Sequence, residues 1–390
     1  MPAAPQQALA ADPGTPRPDR QRLSVPRSGI LPDRLVRAAI AEGQVAATAP
    51  ILDDQVQPAS LDLRLGPVGY QVPASFLPGA GRRVEETLAR LGAPRFELED
   101  GQVLQPGQVY VIRLEERLAL RGRLSALANP KSSTGRIDLF ARVITDFGTR
   151  FDWIEERYKG PLWLELAPRS FPVRVKRGSR LAQLRLKWGS PRISDAMARS
   201  LQEEQEVVRA VTGAPEIHQG TIAVSVDLTG DPETGLVAYR ARPSARAIDV
   251  DRPRGHRVED FWQPVETDSL AKTGGGLVLD RDAFYILASK EPVRVPVDHA
   301  ADMVAYDTLV GEFRVHYAGF FDPGFGLPEG TPAVLEVRSH EVPFIVEDGQ
   351  IVGRLLYERL AEASERPYGQ GIGSHYQGQR LTLSKHFALD

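Results

Sequence analysis

An internal duplication constrains the fold of this 390-residue chain more than any other feature. Three blocks of the first half recur in the same order in the second half, and the middle pair places Glu165 opposite Glu336. The matched pairs are 58–66 with 223–230, 158–169 with 330–339, and 170–186 with 341–357. Because repeated blocks mark a repeated structural unit, the sequence predicts two copies of one domain.

The domain boundaries follow from where the repeats begin and end. We expect a disordered N-terminal tail, two similar domains joined by a helical linker, and a C-terminal tail without a counterpart in the first half. The predicted ranges are 1–27 for the tail, 28–192 for the first domain, 193–214 for the linker, 215–362 for the second domain and 363–390 for the C-terminal tail.

Both predicted domains are mostly β. Short apolar runs such as LDLRLG, VYVIRL and LAQLRL are separated by turns, and the chain has 31 prolines and 35 glycines. This pattern is typical of many short strands. Two helices are predicted, one from Pro32 to Gly43 and a largely polar one that follows Ser194 in the linker.

The charge balance and the absence of cysteine exclude several functions. A formal net charge of -3 gives no basic field for duplex nucleic acid, and no apolar run approaches the ~18 residues of a membrane span. Without cysteine, the chain has no thiolate-bound zinc. We therefore expect a cytoplasmic protein that binds neither nucleic acid, nor membrane, nor zinc.

The two matched glutamates lie in predicted strands, where side chains alternate between faces. Glu165 shares its face with Trp163, and Glu336 shares its face with Val334 and Arg338. A charged residue on a strand most often faces solvent. Recurrence at matched places in the repeat favours a functional role for at least one of them.

Ser132, Ser133 and Arg136 in the segment SSTGR permit two interpretations. The hydroxyls could cap a short helix, which is the common use of such residues. Alternatively, hydroxyls and a guanidinium could converge on an ordered water or a polyphosphate.

The C-terminal tail contains ring and amide side chains that are unusual in a solubilising segment. A glycine-rich end is commonly disordered. The alternative is a lid that orders over a ligand. The residues that suggest a lid are Tyr368, His375, Tyr376 and Gln379.

Several motifs resemble those of dCTP deaminases with the dUTPase-like fold, and more closely the longer bacterial type in which that domain is duplicated. SSTGR (132–136) is similar to the Ser-Ser-x-x-Arg segment of the family. AGFFDPGFG (318–326) with VLE (334–336) resembles the nucleoside-binding hairpin and catalytic glutamate, and HYQGQ (375–379) resembles the Lys-Tyr-Gln-Gly-Gln lid. The resemblance implies two tandem distorted jelly-roll or β-barrel domains.

The resemblance also implies a reaction, the hydrolysis of dCTP to dUTP and ammonia, with Mg²⁺ carried by the triphosphate and no protein-bound metal at the reacting carbon. A glutamate would activate the water, with a serine and an arginine beside it. The implied catalytic residues are Glu336 or Glu165, Ser132 and Arg136. The implied substrate-binding residues are Lys131, Ser133, Glu155, Gln183, Asp322, Val334, Leu335, Tyr368, His375, Tyr376 and Gln379.

Each half departs from the family pattern in a different place. The first half has Glu155 where aspartate is usual but keeps Gln183. The second half keeps Asp322, has DTLVGE (307–312) in place of Ser-Ser-x-x-Arg, and has Arg354 in place of the glutamine. The second half therefore cannot form a complete site by itself.

Two arrangements of the site remain possible. In one, the Ser132–Arg136 segment meets Asp322 and Glu336 in a site split between the domains. In the other, first domains of different chains use Glu165. We favour Glu336 because its surrounding motif is better preserved. By analogy with threefold single-domain relatives, we expect a homo-oligomer such as a trimer.

Other functions compete with dCTP deamination. Within the same fold, the chain could be a dUTP diphosphatase, or it could catalyse both the deamination and the diphosphatase step. The loss of motif residues from the second half also suggests a module that binds nucleotide without catalysing its turnover. A purely structural pair of jelly rolls would leave SSTGR and the tail unexplained.

Overall fold

The structure is a computed structural model that describes residues 23–211, 213–244, 246–305, 313–315, 319–339, 342–369 and 376–388. Most of the predicted N-terminal tail, the segment 307–312 and His375 lie outside the described residues.

Strands dominate the first half of the chain, as the alternating apolar runs predict. Ten of them form one antiparallel sheet. The strands are β1 (Gly29–Ile30), β2 (Val45–Ala47), β3 (Leu61–Val72), β4 (Arg95–Glu97), β5 (Gln102–Leu104), β6 (Val109–Ala119), β7 (Leu124–Pro130), β8 (Leu139–Thr145), β9 (Trp153–Ile154), β10 (Lys159–Pro168), β11 (Val173–Val175) and β12 (Arg180–Trp188).

The second half contributes two five-stranded sheets and two short pairs. The strands are β13 (Ile217–His218), β14 (Thr221–Ser225), β15 (Leu236–Ala241), β16 (Ile248–Asp249), β17 (His256–Arg257), β18 (Trp262–Glu266), β19 (Leu277–Leu279), β20 (Phe284–Val293), β21 (His299–Ala305), β22 (Phe313–Val315), β23 (Phe320–Phe321), β24 (Thr331–Ser339), β25 (Phe344–Val346), β26 (Ile351–Arg359) and β27 (Phe387–Ala388).

The helices are few and short. The first, α1, follows Pro32, and Gly43 beyond its end has a φ of 70°, so both predicted end signals are confirmed. In the linker helix α4, the Ser194 side chain accepts a hydrogen bond from the Met197 amide at 3.3 Å. The helices are α1 (Asp33–Ala41), α2 (Val84–Arg90), α3 (Ser132–Gly135), α4 (Asp195–Gln205) and α5 (Thr267–Leu270), with three-residue 3₁₀ turns at Asp53–Gln55, Val258–Asp260 and Ala271–Thr273. None of these helices, within the described ranges, has the length and apolarity to cross a membrane.

Strand pairing repeats between the halves in the way the sequence blocks predict. The strand β10 pairs with β6 and β8, and its counterpart β24 pairs with β20 and β22. Likewise β12 pairs with β3 and β7, while β26 pairs with β14 and β21. The mostly β, duplicated fold is therefore confirmed.

The main hydrophobic core of the first half extends into the second half. Phe284, Ile286 and Val334 of the second half, together with Leu383 and Phe387 of the C-terminal segment, belong to the same buried cluster as the first-domain strands. The face of β24 that carries Val334 and Glu336 is therefore turned towards the first domain rather than towards solvent. A second cluster fills the interior of the second half.

Candidate active site

A cavity of about 460 Å³ opens where the first domain, the second domain and the C-terminal segment meet. All three parts contribute side chains to it. The lining residues are Asp53, Asp54, Val56, Gln57, Asp62, Lys131, Ser132, Ser133, Arg136, Arg180 and Gln183 from the first domain, Phe320, Phe321, Asp322 and Phe325 from the second, and Arg366, Tyr368, Tyr376, Gln379 and Lys385 beyond it.

The predicted SSTGR segment forms the single-turn helix α3 at one wall of this cavity. The helix-cap interpretation of its serines is wrong, because Lys131 occupies the N-cap and no side chain makes a capping hydrogen bond there. Ser132 and Ser133 lie inside the turn instead. Their hydroxyls are therefore not committed to capping and line the cavity.

Arg136 is held at the end of this turn by the C-terminal segment. Its Nη1 donates to Gln379 Oε1 and to the Thr382 carbonyl, both at 2.9 Å. The guanidinium carbon lies 3.9 Å from the centre of the Tyr376 ring, a cation–π contact. Burial lowers the pKa of Arg136, opposed by the nearby Tyr376 and Glu336.

Glu336 packs directly against the turn from the opposite domain. A Cβ placed on Gly135 would lie 2.2 Å from Glu336 Oε2 and 2.4 Å from Oε1. Only a residue without a side chain at position 135 leaves the carboxylate in this place. The side chain of Glu336 is buried, with 2% exposure, so the solvent-facing interpretation is wrong for this residue.

Glu165 is also buried, with 1% exposure. Neither glutamate is itself among the residues that line the cavity, but Glu336 touches the turn that does. Glu165 Oε1 accepts hydrogen bonds from Arg142 Nη2 at 2.6 Å and Nε at 3.1 Å. On the same face of the sheet, Trp163 packs with Val84 and Leu88 of helix α2. Helix α2 therefore covers this face of β10 in the first domain. The equivalent face of β24 is instead turned towards the neighbouring domain.

Four buried polar atoms around the cavity have no hydrogen-bond partner among the described residues. Two are donors, Arg136 Nε and Gln379 Nε2, and two are acceptors, Asp62 Oδ1 and Asp322 Oδ1. Unpaired buried polar groups are rare in folded proteins. Their convergence on one cavity indicates a site prepared for a polar ligand.

Asp322 lies at the start of the second-domain hairpin, beside the aromatic residues Phe320, Phe321 and Tyr368 that also line the cavity. Burial raises the pKa of Asp322 to about 7, although the Lys131 ammonium opposes the shift. The carboxyl can therefore either accept or donate a hydrogen bond near neutral pH. The Tyr368 hydroxyl accepts a hydrogen bond from the Tyr376 amide at 3.2 Å, a contact within the C-terminal segment beside this wall.

Besides Arg136, four cationic side chains line the cavity, and the sequence predicted only Lys131 among them. Lys131 pairs with Asp62, Arg180 with Asp54 at 3.0 Å, and Arg366 with Asp53 at 3.1 Å. For the fourth, Lys385, no carboxylate partner lies within ion-pair distance among the described residues. Burial, and next the Lys131 ammonium, lower the pKa of Lys385.

The remaining predicted residues are divided between the cavity and other places. Gln183 lines the cavity and accepts a hydrogen bond from Ser60 Oγ at 3.2 Å. Val334 and Leu335 are buried in the two hydrophobic cores and flank Glu336. Glu155 is exposed, pairs with Arg150 at 2.6 Å, and does not line the cavity, so its predicted place beside the substrate is not supported.

The chain is similar to proteins named "dCTP deaminase, dUMP-forming". It is 30% identical over 162 residues to the one from Sulfurihydrogenibium sp., an alignment that covers 40% of this chain and 81% of the relative. It is 35% identical over 106 residues to the one from Beutenbergia cavernae, covering 26% of this chain. In that second alignment the chain spans 54% of the length of the relative.

A solved structure extends the likeness to both domains. The crystal structure of 2'-deoxycytidine 5'-triphosphate deaminase from Agrobacterium tumefaciens superposes with a TM-score of 0.82 at 50% sequence identity. The match covers 87% of this chain and 99% of that one.

The duplicated β fold, with a polar cavity between its two halves, is the class of structure that these comparisons match. Family models for the N-terminal and C-terminal domains of 2'-deoxycytidine 5'-triphosphate deaminase match residues 27–190 and 194–387. The chain belongs to the dCTP deaminase family.

Proposed function

We propose that this chain removes the 4-amino group of dCTP by hydrolysis, giving dUTP and ammonia, and that Glu336 is its base. The observation that carries the proposal is the contact of the Glu336 carboxylate with Gly135, inside the turn that bears Ser132 and Arg136. A carboxylate, hydroxyls and a guanidinium from two domains thereby surround one small volume. Helix α2 over the face of Glu165 supports the choice of Glu336 over Glu165.

In the proposed mechanism, Glu336 takes a proton from a water molecule as its oxygen attacks C4 of the cytosine. Ser132 orients that water, and Arg136 stabilises the negative charge that develops in the transition state. Glu336 then passes that proton to N3. It next takes the proton of the new C4 hydroxyl and gives it to the amine, so that the C4–N bond breaks as the C4 carbonyl forms. The products are a uracil ring and ammonia.

The nucleoside would occupy the wall formed by the second domain. Asp322, with its unpaired Oδ1, is suited to hydrogen-bond a sugar hydroxyl or a base edge. Phe320, Phe321 and Tyr368 offer apolar surface for the base and the sugar. Gln183 on the opposite wall would contribute a further polar contact.

The triphosphate would extend towards Lys131, Arg180, Arg366 and Lys385. Cationic side chains match the charge and oxygen geometry of phosphate groups. Three of these cations are paired with aspartates, and a triphosphate could take over those pairs. Mg²⁺ would enter as part of the nucleotide substrate.

The names of the relatives favour a second candidate, in which the chain releases dUMP. That outcome requires a further attack on the α-phosphorus, with loss of pyrophosphate, at the same site or after rebinding. Measuring both ammonia and pyrophosphate from dCTP distinguishes the two, because only the second candidate predicts equal amounts of each.

The test is ammonia release from dCTP with Mg²⁺ by the parent, Glu336→Gln and Glu165→Gln. We expect Glu336→Gln to lower kcat by at least about a hundredfold, in keeping with the contribution of a general base. Glu165→Gln should retain turnover in the protein that folds, although its loss of the Arg142 pair should lower stability. Loss of activity in Glu165→Gln alone would contradict the choice of Glu336, and a parent that binds dCTP without releasing ammonia would be a binding module.

A further inference from the structure

A buried ion pair joins the two domains just beyond the proposed catalytic groups. Arg338 follows Glu336 by two residues on β24, and Asp138 follows Arg136 by two residues after the turn. The Arg338 guanidinium donates to the Asp138 carboxylate, and the two side chains are 6% and 0% exposed. Neither of these residues lines the cavity, and their side chains are committed to each other and to Ser170.

Asp138 is fixed to the turn through its backbone, and its side chain is held by neighbouring elements. Its amide donates to the Gly135 carbonyl at 2.8 Å, and its carbonyl accepts from the Arg169 amide at 3.0 Å. Its φ of 54° is left-handed, a conformation that Asp and Asn adopt more readily than most residues. Ser170 Oγ donates to Asp138 Oδ2 at 2.5 Å.

Arg338 is fixed on the same strand face as Glu336. Residues two apart on a strand point the same way and are spaced by roughly 7 Å. The guanidinium also donates to the Asp282 carbonyl and to Ser170 Oγ, the latter at 3.2 Å. One strand face therefore meets the turn at two points, through Glu336 against Gly135 and through Arg338 against Asp138.

The arginine of this pair is present in only one of the two repeats. In the aligned repeats the residue of the first half that corresponds to Arg338 is Ala167, which cannot form such a pair. The common fold thus does not require an arginine at this place. The arginine is present only on the strand whose glutamate meets the turn.

We propose that Asp138 and Arg338 are positioning residues that set the separation between the Glu336 carboxylate and the Ser132–Arg136 turn. The inference rests on the proposed function for its kinetic consequence. The pair fixes the register of one domain on the other at the point where the reacting water would be held. A shift of the order of 1 Å at such a point is sufficient to lower the rate of a reaction substantially.

The experiment compares Asp138→Asn, Arg338→Gln and the double variant with the parent. Asn keeps the shape of Asp and tolerates its left-handed backbone, which favours folding of the first variant. The matched control is Lys187→Gln, which removes the cation of another buried pair between the halves, Lys187 with Glu358 at 2.8 Å. The measurements are kcat, KM for dCTP, melting temperature and amide hydrogen exchange of residues 132–138.

We expect each single variant to lower kcat about tenfold or more with KM within about threefold, because the cavity lining is unchanged. The double variant should lose no more than the worse single one, since the two residues act as a pair. Exchange of residues 132–138 should become faster in these variants and stay at the parent rate in Lys187→Gln.

The inference is overturned if the folded variants keep the kcat of the parent, or if Lys187→Gln lowers kcat as much as they do. A parent that releases no ammonia would refute the proposed function instead. In that case hydrogen exchange still tests whether the pair fixes the turn. Unchanged exchange of residues 132–138 would show that it does not.

Discussion

At the scale of single residues, the site depends on groups that are separated widely in sequence. Ser132 and Arg136 lie in the first half, Glu336 in the second, and Lys385 five residues before the end of the chain. Burial and the nearby cation Lys131 make an unpaired ammonium at position 385 costly unless an anion accompanies it. This cation lies ten residues beyond His375, which stands where the family motif has lysine.

Replacing Lys385 by methionine should therefore weaken binding of the triphosphate. A charge-assisted hydrogen bond contributes roughly 1.5–3 kcal/mol, which corresponds to a rise in KM for dCTP of about ten- to a hundredfold. The kcat should change much less, because a contact with the phosphates stabilises the bound substrate and the transition state alike. The control is Arg380→Met in the same segment, whose cation is exposed and pairs with Asp231 at 3.0 Å. Equal KM values for Lys385→Met and the parent would refute this role.

At the scale of elements, the final part of the C-terminal segment, residues 376–388, is bound firmly to the rest of the protein. Strand β27 pairs with β17, and Phe387 packs among Phe261 and Trp262. Ser384 Oγ lies 2.8 Å from the Ser133 carbonyl, so the segment is tied to the turn itself. The predicted alternative of a disordered end is wrong for residues 376–388, whose contacts hold Arg136 and Lys385 in place.

His386 makes the stability of this packed C-terminal segment sensitive to acid. It is buried, with Nδ1 2.8 Å from Ser384 Oγ and Nε2 3.0 Å from the Val250 carbonyl, and burial is the main cause that lowers its pKa to about 3. Because the folded state favours the neutral ring, this contribution to stability is complete above the ordinary pKa of about 6.5 and is lost as pH falls below it. At pH 5 the loss is about 2 kcal/mol.

The check is the melting temperature of the parent and of His386→Gln between pH 7.5 and pH 5. Burial also raises the pKa of Asp152 to about 7. Carboxyl groups common to both proteins, such as Asp152 and Asp322, cancel in the comparison. The advantage of the parent over the variant should shrink as pH falls. An advantage that is constant over this range would show that His386 does not couple the stability of this segment to pH.

At the scale of the whole molecule, the proposed function divides one site between the two copies of a domain. The first copy keeps the turn and covers the face of its own glutamate with α2, while the second copy turns its glutamate to the first. Each chain would then contain one complete site irrespective of its oligomeric state. The homo-oligomer and the cytoplasmic location stay predictions.

Mixing two inactive variants tests whether the site lies within one chain. If Arg136→Gln and Glu336→Gln are refolded together, we expect no recovery of ammonia release, because every chain lacks one half of its own site. A site formed between chains would instead recover roughly a quarter of the parent activity, the chance that both residues of one site are intact. The melting temperature of each variant confirms that both proteins fold.

The sequence by itself determined the duplication, the β class, the start of the two predicted helices and the end of the first, and the residue types of the proposed site. These are local properties, since strand alternation, cap and turn signals and repeated blocks are written in neighbouring residues. Only the tertiary structure decided which glutamate meets the SSTGR turn, because Glu165 and Glu336 occupy equivalent strand positions and differ in what covers them. It also brought Lys385, Arg180 and Arg366 to the cavity and paired Asp138 with Arg338, since contacts across roughly two hundred residues depend on how the domains pack.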